Sequence, residues 1–482
     1  MLSVEEIRLL MANDEASQSK QDAQVGWRYY EGKHDIENRK IYFVNERDEL
    51  EEDLLKSNIK ISHPFHRELT DQVVQYTLSS EESYIRSDDP KLQAELDSRF
   101  NENEDFTAEL YKMLTGVVAK GWDYMYAYKN EDDVTAFQHA DSLGVVEVCA
   151  KDAEDGQAYL IYWYDETVLD KTIRRIQVWD EAQVTYYRQI DYGEIELDDA
   201  EKLNPRPHTL YEKGEKVYQN SNSAFGQIPF FRMDNFPLKR SDLFYYKDQI
   251  DDYDLMNCDL SNNLQDTNEA SYFLEGFEGD NLDELMYNYR AKKAMGIPEG
   301  GQMHMETVDV PFEARKAKMD IDRENIYHFG QGLNMESLKD TSSTTNIAIK
   351  SAYTQLDSRS IKLKIALKQF LRKLLNIVLP EINQVNGTDY QQKDVYFVFD
   401  PVIPTNEQEN AQIELTEAQK KQAEVNMLLS LATHLDNETM MKLICEQLEV
   451  DYEEIKSKLP DPEELDPYAD DDLGDEEGGL IE

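Results

Sequence analysis

Two histidines three residues apart, His63 and His66 in "HPFH", have a spacing that could present two imidazoles to one metal ion from a helix. Pro64 suits a first helical position, which leaves His63 outside the helix, and no nearby Cys or third His completes a ligand set. Aspartates at 248, 251, 252, 254 and 259 could in principle cage a divalent ion. The Asp-x-Asp-x-Asp-Gly loop is missing, and carboxylates along one continuous helix diverge. A solvated or channel-facing acidic surface is the better reading, so no metal and no cofactor is expected. Nucleotide chemistry would call for G-x-x-x-x-G-K-[ST] or G-x-G-x-x-G, and "GQGLN" at 330–334 is too short for either. Neither a G-x-S-x-G elbow nor an H-E-x-x-H helix is present. Cys149, Cys258 and Cys445 are few, odd in number and far apart, which reads as packing residues in a reducing compartment. The sequence does not predict an enzyme.

A chain of 482 residues, 40% hydrophobic and 10% aromatic, can bury several cores and suggests two to four domains. No apolar run is long enough for a membrane helix, and the acidic opening "MLSVEEIRLLMANDEAS" lacks the marks of a secretion signal. The outlying quantity is charge: 50 Lys and Arg against 99 Asp and Glu, a formal balance of −49. Gripping nucleic acid by its phosphates needs the opposite sign. Three readings stay open: nucleic acid is not the partner, it is touched without being held, or the charge is a halophilic surface adaptation.

The elements follow from periodicity. Residues 1–60 read as helix, turn and a charged segment broken at Gly32, and a helix follows Pro64 with Leu69, Val73 and Tyr76 on one face. Residues 90–120 look helical, ending near Gly121. Between about 121 and 235, β-branched and aromatic runs separated by turn residues predict an α+β domain with a meandering, mainly antiparallel sheet. From Ser241 to Leu264 there is no Pro or Gly, and a seam runs Leu243, Tyr246, Ile250, Tyr253, Asn257, Leu260, Leu264, flanked by aspartates. A short irregular insertion follows, then a second helix from about 311, so an antiparallel helix pair carrying a small module is the simplest arrangement. A strong helix is expected over 347–379, directly behind the polar run Thr341-Ser342-Ser343-Thr344-Thr345-Asn346. One strand, "DVYFVFDP", and a helical region come next, and the last 22 residues hold eleven acids and no base, which predicts disorder.

Several strings, in order, carry a family resemblance: "YYEGKHDIENRK", "NIKISHPFHRELTDQVVQYTL", "VVAKGWDYMYAYKNEDD", "GQIPFFRMDNFPLKRSDLFYYKDQIDDYDLMNCDLSNNL", "LEGFEG" and "SSTTNIAIKSAYTQLDSRSIKLK". Over about residues 25–455 the chain resembles the portal proteins of tailed double-stranded DNA phages of the long non-contractile-tail type. The resemblance implies a multidomain α+β subunit of a ring, usually of about twelve copies. By position, 1–240 would be the N-terminal arm and wing, 241–264 a stem helix, 265–310 an α/β clip and 311–330 the second stem helix. Residues 331–403 would hold the tunnel loop, the long helix and a wing strand, 404–460 a helical crown, and 461–482 the acidic tail.

The same resemblance implies a conduit for double-stranded DNA at one capsid vertex, driven by the terminase large subunit. Other implied partners are the major capsid and scaffolding proteins and a head-completion or adaptor protein; no membrane is involved. Lys339, Thr341, Ser342, Ser343, Thr344, Thr345 and Asn346 would face the DNA with short neutral side chains that also suit a helix N-terminus. Asp248, Asp251, Asp252 and Asp259 would form an acidic stem face that keeps the duplex centred, within a screening length of about 8–10 Å. Lys362, Lys364, Lys368, Arg372 and Lys373 would pair with a neighbouring subunit or face DNA. The alternative is an acidic intracellular enzyme or adaptor whose site has no recognisable motif.

Overall fold

A computed structural model describes residues 2–45, 47–54, 56–79, 83–153, 156–214, 216–219, 224–266, 272–275, 294–297, 300, 312–334, 346–399 and 407–430, with 439, 441–443, 445 and 452. The chain forms two compact units, 1–342 with 350–403, and 343–349 with 404–482. The expected tunnel-loop positions 339 and 341–345 lie outside the described residues, as do most of 265–310, much of 404–460 and all of 461–482.

The first unit opens with α1 (Val4–Glu15) and α2 (Gln18–Tyr30). Ser3 and Glu6 form a reciprocal capping box that satisfies two otherwise unpaired N–H groups at the start of α1. In place of a plain charged segment, a hairpin of β1 (Tyr42–Val44) and β2 (Leu50–Glu52) follows. Then come α3 (Phe65–Leu78), β3 (Ile85–Arg86), α4 (Pro90–Leu96) and α5 (Glu104–Lys120). Gly121 ends α5 at φ 105°, where a Cβ would lie 2.7 Å from the backbone of Arg240, so only glycine fits both the conformation and the space.

Strands dominate next, as the β-branched and aromatic runs predict: β4 (Trp122–Lys129), β5 (Thr135–Ala140), β6 (Val145–Val148), β7 (Tyr159–Val168), β8 (Lys171–Trp179), β9 (Gln183–Ile190), β10 (Ile195–Leu197), β11 (Arg206–Pro207), β12 (Leu210–Lys213), β13 (Lys216–Gln219) and β14 (Phe230–Asp234). β10-β9-β8-β7-β6 form an antiparallel meander with β11 on β9, and β14-β4-β5 form a second antiparallel sheet. Leu2 and Ile7 bury against Val146, Ile161 and Ile176, so the N-terminal helix closes one face of the meander.

The chain continues through α6 (Lys247–Asp266), the parallel pair β15 (Tyr272–Glu275) and β16 (Ala294–Ile297), α7 (Phe312–Phe329), α8 (Asn346–Asn386) and β17 (Tyr396–Phe397), which pairs with β3. In the second unit the main described element is α9 (Glu407–Ser430).

α8 has 41 residues and is roughly 60 Å long. Leu363, Leu367, Phe370, Leu371, Leu374 and Val378 line its buried face, against α3, α4, α5 and the β4 sheet. The expected stop at 379 is corrected: the helix runs through Pro380 to Asn386. Tertiary contacts outweigh the lost N–H. Ile382 is fully buried, and the Glu381 carboxylate takes Arg99 and Lys129, each at 2.7 Å, and the Thr135 N–H at 3.2 Å. Gly387, at φ 66°, follows the last turn.

A further correction concerns Cys149, which is exposed and so is no packing residue; Cys258 and Cys445 are buried.

Candidate functional site

α6 departs from the seam that its sequence suggests. Residues 242–245 form a separate 3-10 turn, the α-helix begins at Lys247, and Leu264 is 53% exposed. The buried stripe is instead Ile250, Asp254, Cys258 and Asn262, four residues apart. Its polar members face an irregular strap of chain, residues 57–63. Alternate backbone N–H groups of the strap donate to successive turns of the helix: Ser57 to Asp266 Oδ1 (3.3 Å), Ile59 to Asn262 Oδ1 (2.7 Å), Ile61 to Cys258 Sγ (3.2 Å) and His63 to Asp254 Oδ1 (3.0 Å).

The match is metric. Two extended residues advance about 6.6 Å and four helical residues about 6.0 Å, so each rung meets the next with little mismatch. Strap and helix therefore run antiparallel, tied by side chains standing in for a strand partner. Asp254, with no exposure, also receives the imidazoles of His34 (2.6 Å) and His63 (2.7 Å). The histidine that had suggested a metal ligand is thus a carboxylate partner, and no metal-binding group occurs among the described residues.

α7 packs on α6. Ile326 shares a core with Ile250, Leu243 and Tyr246, while Asn257 reaches Met319 at 4.0 Å, which sets the two helices antiparallel. Of the four acidic face residues, Asp248 is exposed. The other three are paired within the subunit: Asp251 with Lys247 (2.6 Å) and the Tyr29 hydroxyl, Asp252 with Lys318, and Asp259 with Arg39 (2.7 Å). Desolvation would lower the Lys318 pKa, yet hydrogen bonds to Asp252 and Asp322 raise it. α6 therefore presents less uncompensated negative charge than its composition suggests.

With this geometry in place, the family model described as "Phage portal protein, SPP1 Gp6-like" matches residues 12–458, most of the chain. The chain belongs to this portal family. Such proteins are structural and non-enzymatic. The portal protein of Bacillus phage SPP1 is 23% identical over 340 residues, which cover 70% of this chain and 65% of that protein. The portal protein of Clostridium phage phiCD119 is 24% identical over 449 residues, 86% of this chain and 89% of that one. A solved chain titled "Neck of empty GTA particle computed with C6 symmetry" aligns at 12% identity and TM-score 0.37, over 79% of this chain and 90% of that one, a likeness too loose to argue from.

In this portal-family chain five of the seven bases of α8, those between 362 and 373, meet rings or neutral oxygens. Lys362 donates to Gln331 Oε1 (3.0 Å) and Lys373 to the Arg232 carbonyl (2.8 Å). Lys364, Lys368 and Arg372 stand over the rings of Tyr76, Phe399 and Phe397 at 5.7–5.8 Å. Asn346 contributes the first backbone turn of α8.

Sequence reasoning missed the residues that lock the root of α6. Arg359, buried on α8, donates to Asp242 Oδ2 (2.6 Å) and Asn235 Oδ1 (2.7 Å), and Asn235 donates in turn to Asp242 Oδ1 (2.8 Å). His66 Nδ1 lies 2.7 Å from the Tyr246 hydroxyl, and burial pushes its imidazole down to about 4. The available signal for the strap was the Asp-x3-Cys-x3-Asn-x3-Asp spacing at 254–266, a polar stripe at a helical period. For Arg359 the sequence offers no signal, since its partners lie 117 and 124 residues away.

Proposed function

We propose that this protein is the ring-forming portal subunit at one capsid vertex. It is the conduit for double-stranded DNA during terminase-driven packaging and ejection, and the platform for head–tail joining. Membership of the portal family across residues 12–458 carries the reading. The antiparallel α6–α7 pair supports the stem assignment of 241–264 and 311–330, with 1–240 as arm and wing and 265–310 as clip. The polar run 341–346 is proposed as a tunnel loop whose short neutral side chains touch phosphate and release it. Asp248, the exposed member of the acidic set, is proposed to face the bore; Lys362, Lys364, Lys368, Arg372 and Lys373 of α8 are proposed to meet a neighbouring subunit or DNA.

Particle mass and negative-stain imaging of the purified chain test this. A ring with a central hole, of about twelve subunit masses, is expected. A species that stays monomeric or dimeric at all concentrations, with no ring in the images, rejects the proposal.

A further inference from the structure

Where α8 passes the roots of α6 and α7, a cavity of about 340 Å³ opens between residues 235–246, the end of α7 and the side of α8. Its rim is apolar and open to solvent: Leu238 is 59% exposed, Tyr245 47%, Phe329 44% and Phe236 43%. Large apolar side chains gathered around one concavity mark a docking place more often than a finished surface.

The charge of the lining is the second observation. Arg240, Arg359 and Lys362 line the cavity with Asp242 as the one carboxylate, and both Asp242 oxygens are already taken by Asn235 and Arg359. The Arg240 guanidinium sits 4.3 Å from the Phe244 ring centroid, and Lys362 has only a neutral amide as its hydrogen-bond partner among the described residues. Arg359 is 5% exposed, and its Nη1 has no hydrogen-bond partner among the described residues. A buried guanidinium donor left open is costly and calls for an acceptor.

We propose that this cavity is a socket for a second copy of the chain, filled by an apolar segment that carries a carboxylate to Arg359, Lys362 and Arg240. Charge complementarity selects the occupant: a chain with 99 acids and 50 bases has carboxylates in excess, and this lining has cations to spare. A socket on one copy and a plug elsewhere on the next is a heterologous contact, the kind that closes into a ring. The inference rests on the ring reading and names one of its contacts.

The test compares wild type with Leu238→Asp and with the double variant Arg240→Glu, Lys362→Glu; Leu238 and Arg240 are exposed and Lys362 half-buried, and circular dichroism checks that each subunit folds. Assembly is followed by particle mass against concentration. Half-assembly is expected to need at least about tenfold more protein in either variant. Carbodiimide cross-linking of mixed isotopically light and heavy subunits is expected to join Lys362 to a carboxylate of the other isotope. Variants that assemble like wild type, or Lys362 cross-links confined to one subunit, overturn the socket while leaving the ring intact. Normal rings that fail only in packaging also overturn it, by giving the cavity to DNA or another partner. A wild-type chain that never assembles overturns the ring reading, and the socket with it.

Discussion

The strap-bearing face of α6 and the inner face of α8 are both buried, and they are buried by opposite means. On α8, Leu363, Leu367, Phe370 and Leu371 meet other apolar side chains, a non-directional attraction that scales with area. On α6, Asp254, Cys258 and Asn262 meet a backbone, one N–H per turn. The apolar face supplies stability and tolerates small slides. The polar ladder fixes register: a one-residue slip of the strap would turn every donor away from its acceptor, because strap side preference repeats every two residues. A two-residue slip would strip Asp254 or Asp266 of its strap donor. A helix that must hold a fixed position relative to the preceding hairpin gains more from the second kind of burial than from the first.

Two truncations break the comparison most strongly. Asp254→Ala removes the acceptor of His34, of His63 and of the His63 N–H at once, and about 3–5 kcal/mol of stability should be lost. Leu371→Ala, at a fully buried position, should cost about 2–5 kcal/mol. Denaturant titration gives both totals, and hydrogen exchange separates their character. The aspartate variant should release the amides of 57–63 far ahead of the rest, whereas the leucine variant should leave their relative protection unchanged. Strap amides that stay protected without Asp254 would mean that the ladder is not what holds them.

His66 sharpens the contrast through pH. An unfolded histidine titrates near 6.5 and this one, buried, near 4, so the unfolded chain binds more protons between those values. Stability should therefore fall as pH drops from about 6.5 toward 4, by up to roughly 3 kcal/mol, and the penalty should be absent above that window. The readout is the difference between wild type and His66→Gln, which cancels the other titrating groups; a difference that is flat with pH would show the imidazole to be solvated.

These two kinds of burial also divide what could be read in advance. The long α8 helix, the strand-rich β4–β10 region and the stop at Gly121 were legible because each depends on residues a few positions apart. The strap was not, because its rungs join residues 191 to 209 positions apart, and buried Asp254 passes for a solvated flank in the sequence. Pro380 misled for the same reason: what carries the helix past it is Glu381 held by Arg99 and Lys129, from elsewhere in the chain. In the proposed site, the sequence located the charges of α6 and α8 without their partners. Those partners pair three of four aspartates with cations of the same subunit and set Lys362, Lys368, Arg372 and Lys373 of α8 against rings and neutral oxygens.

The smallest expected effect lies between the two faces, on the flank of α6. Asp259 and Arg39 pair at 2.7 Å with side chains 31% and 23% exposed, neither sealed like Asp254 nor as open as the exposed Asp248. A pair so placed contributes about 1 kcal/mol or less, and salt screens it. Asp259→Asn should therefore cost the isolated subunit about that much at low ionic strength. The cost should shrink toward zero in about 1 M salt, where the screening length is roughly 3 Å, while the Asp254→Ala and Leu371→Ala losses persist. Denaturant midpoints at the two salt levels decide it. If the Asp259 loss instead matched that of Asp254 and ignored salt, the pair would be sealed from solvent in the isolated subunit, against the exposure of both side chains.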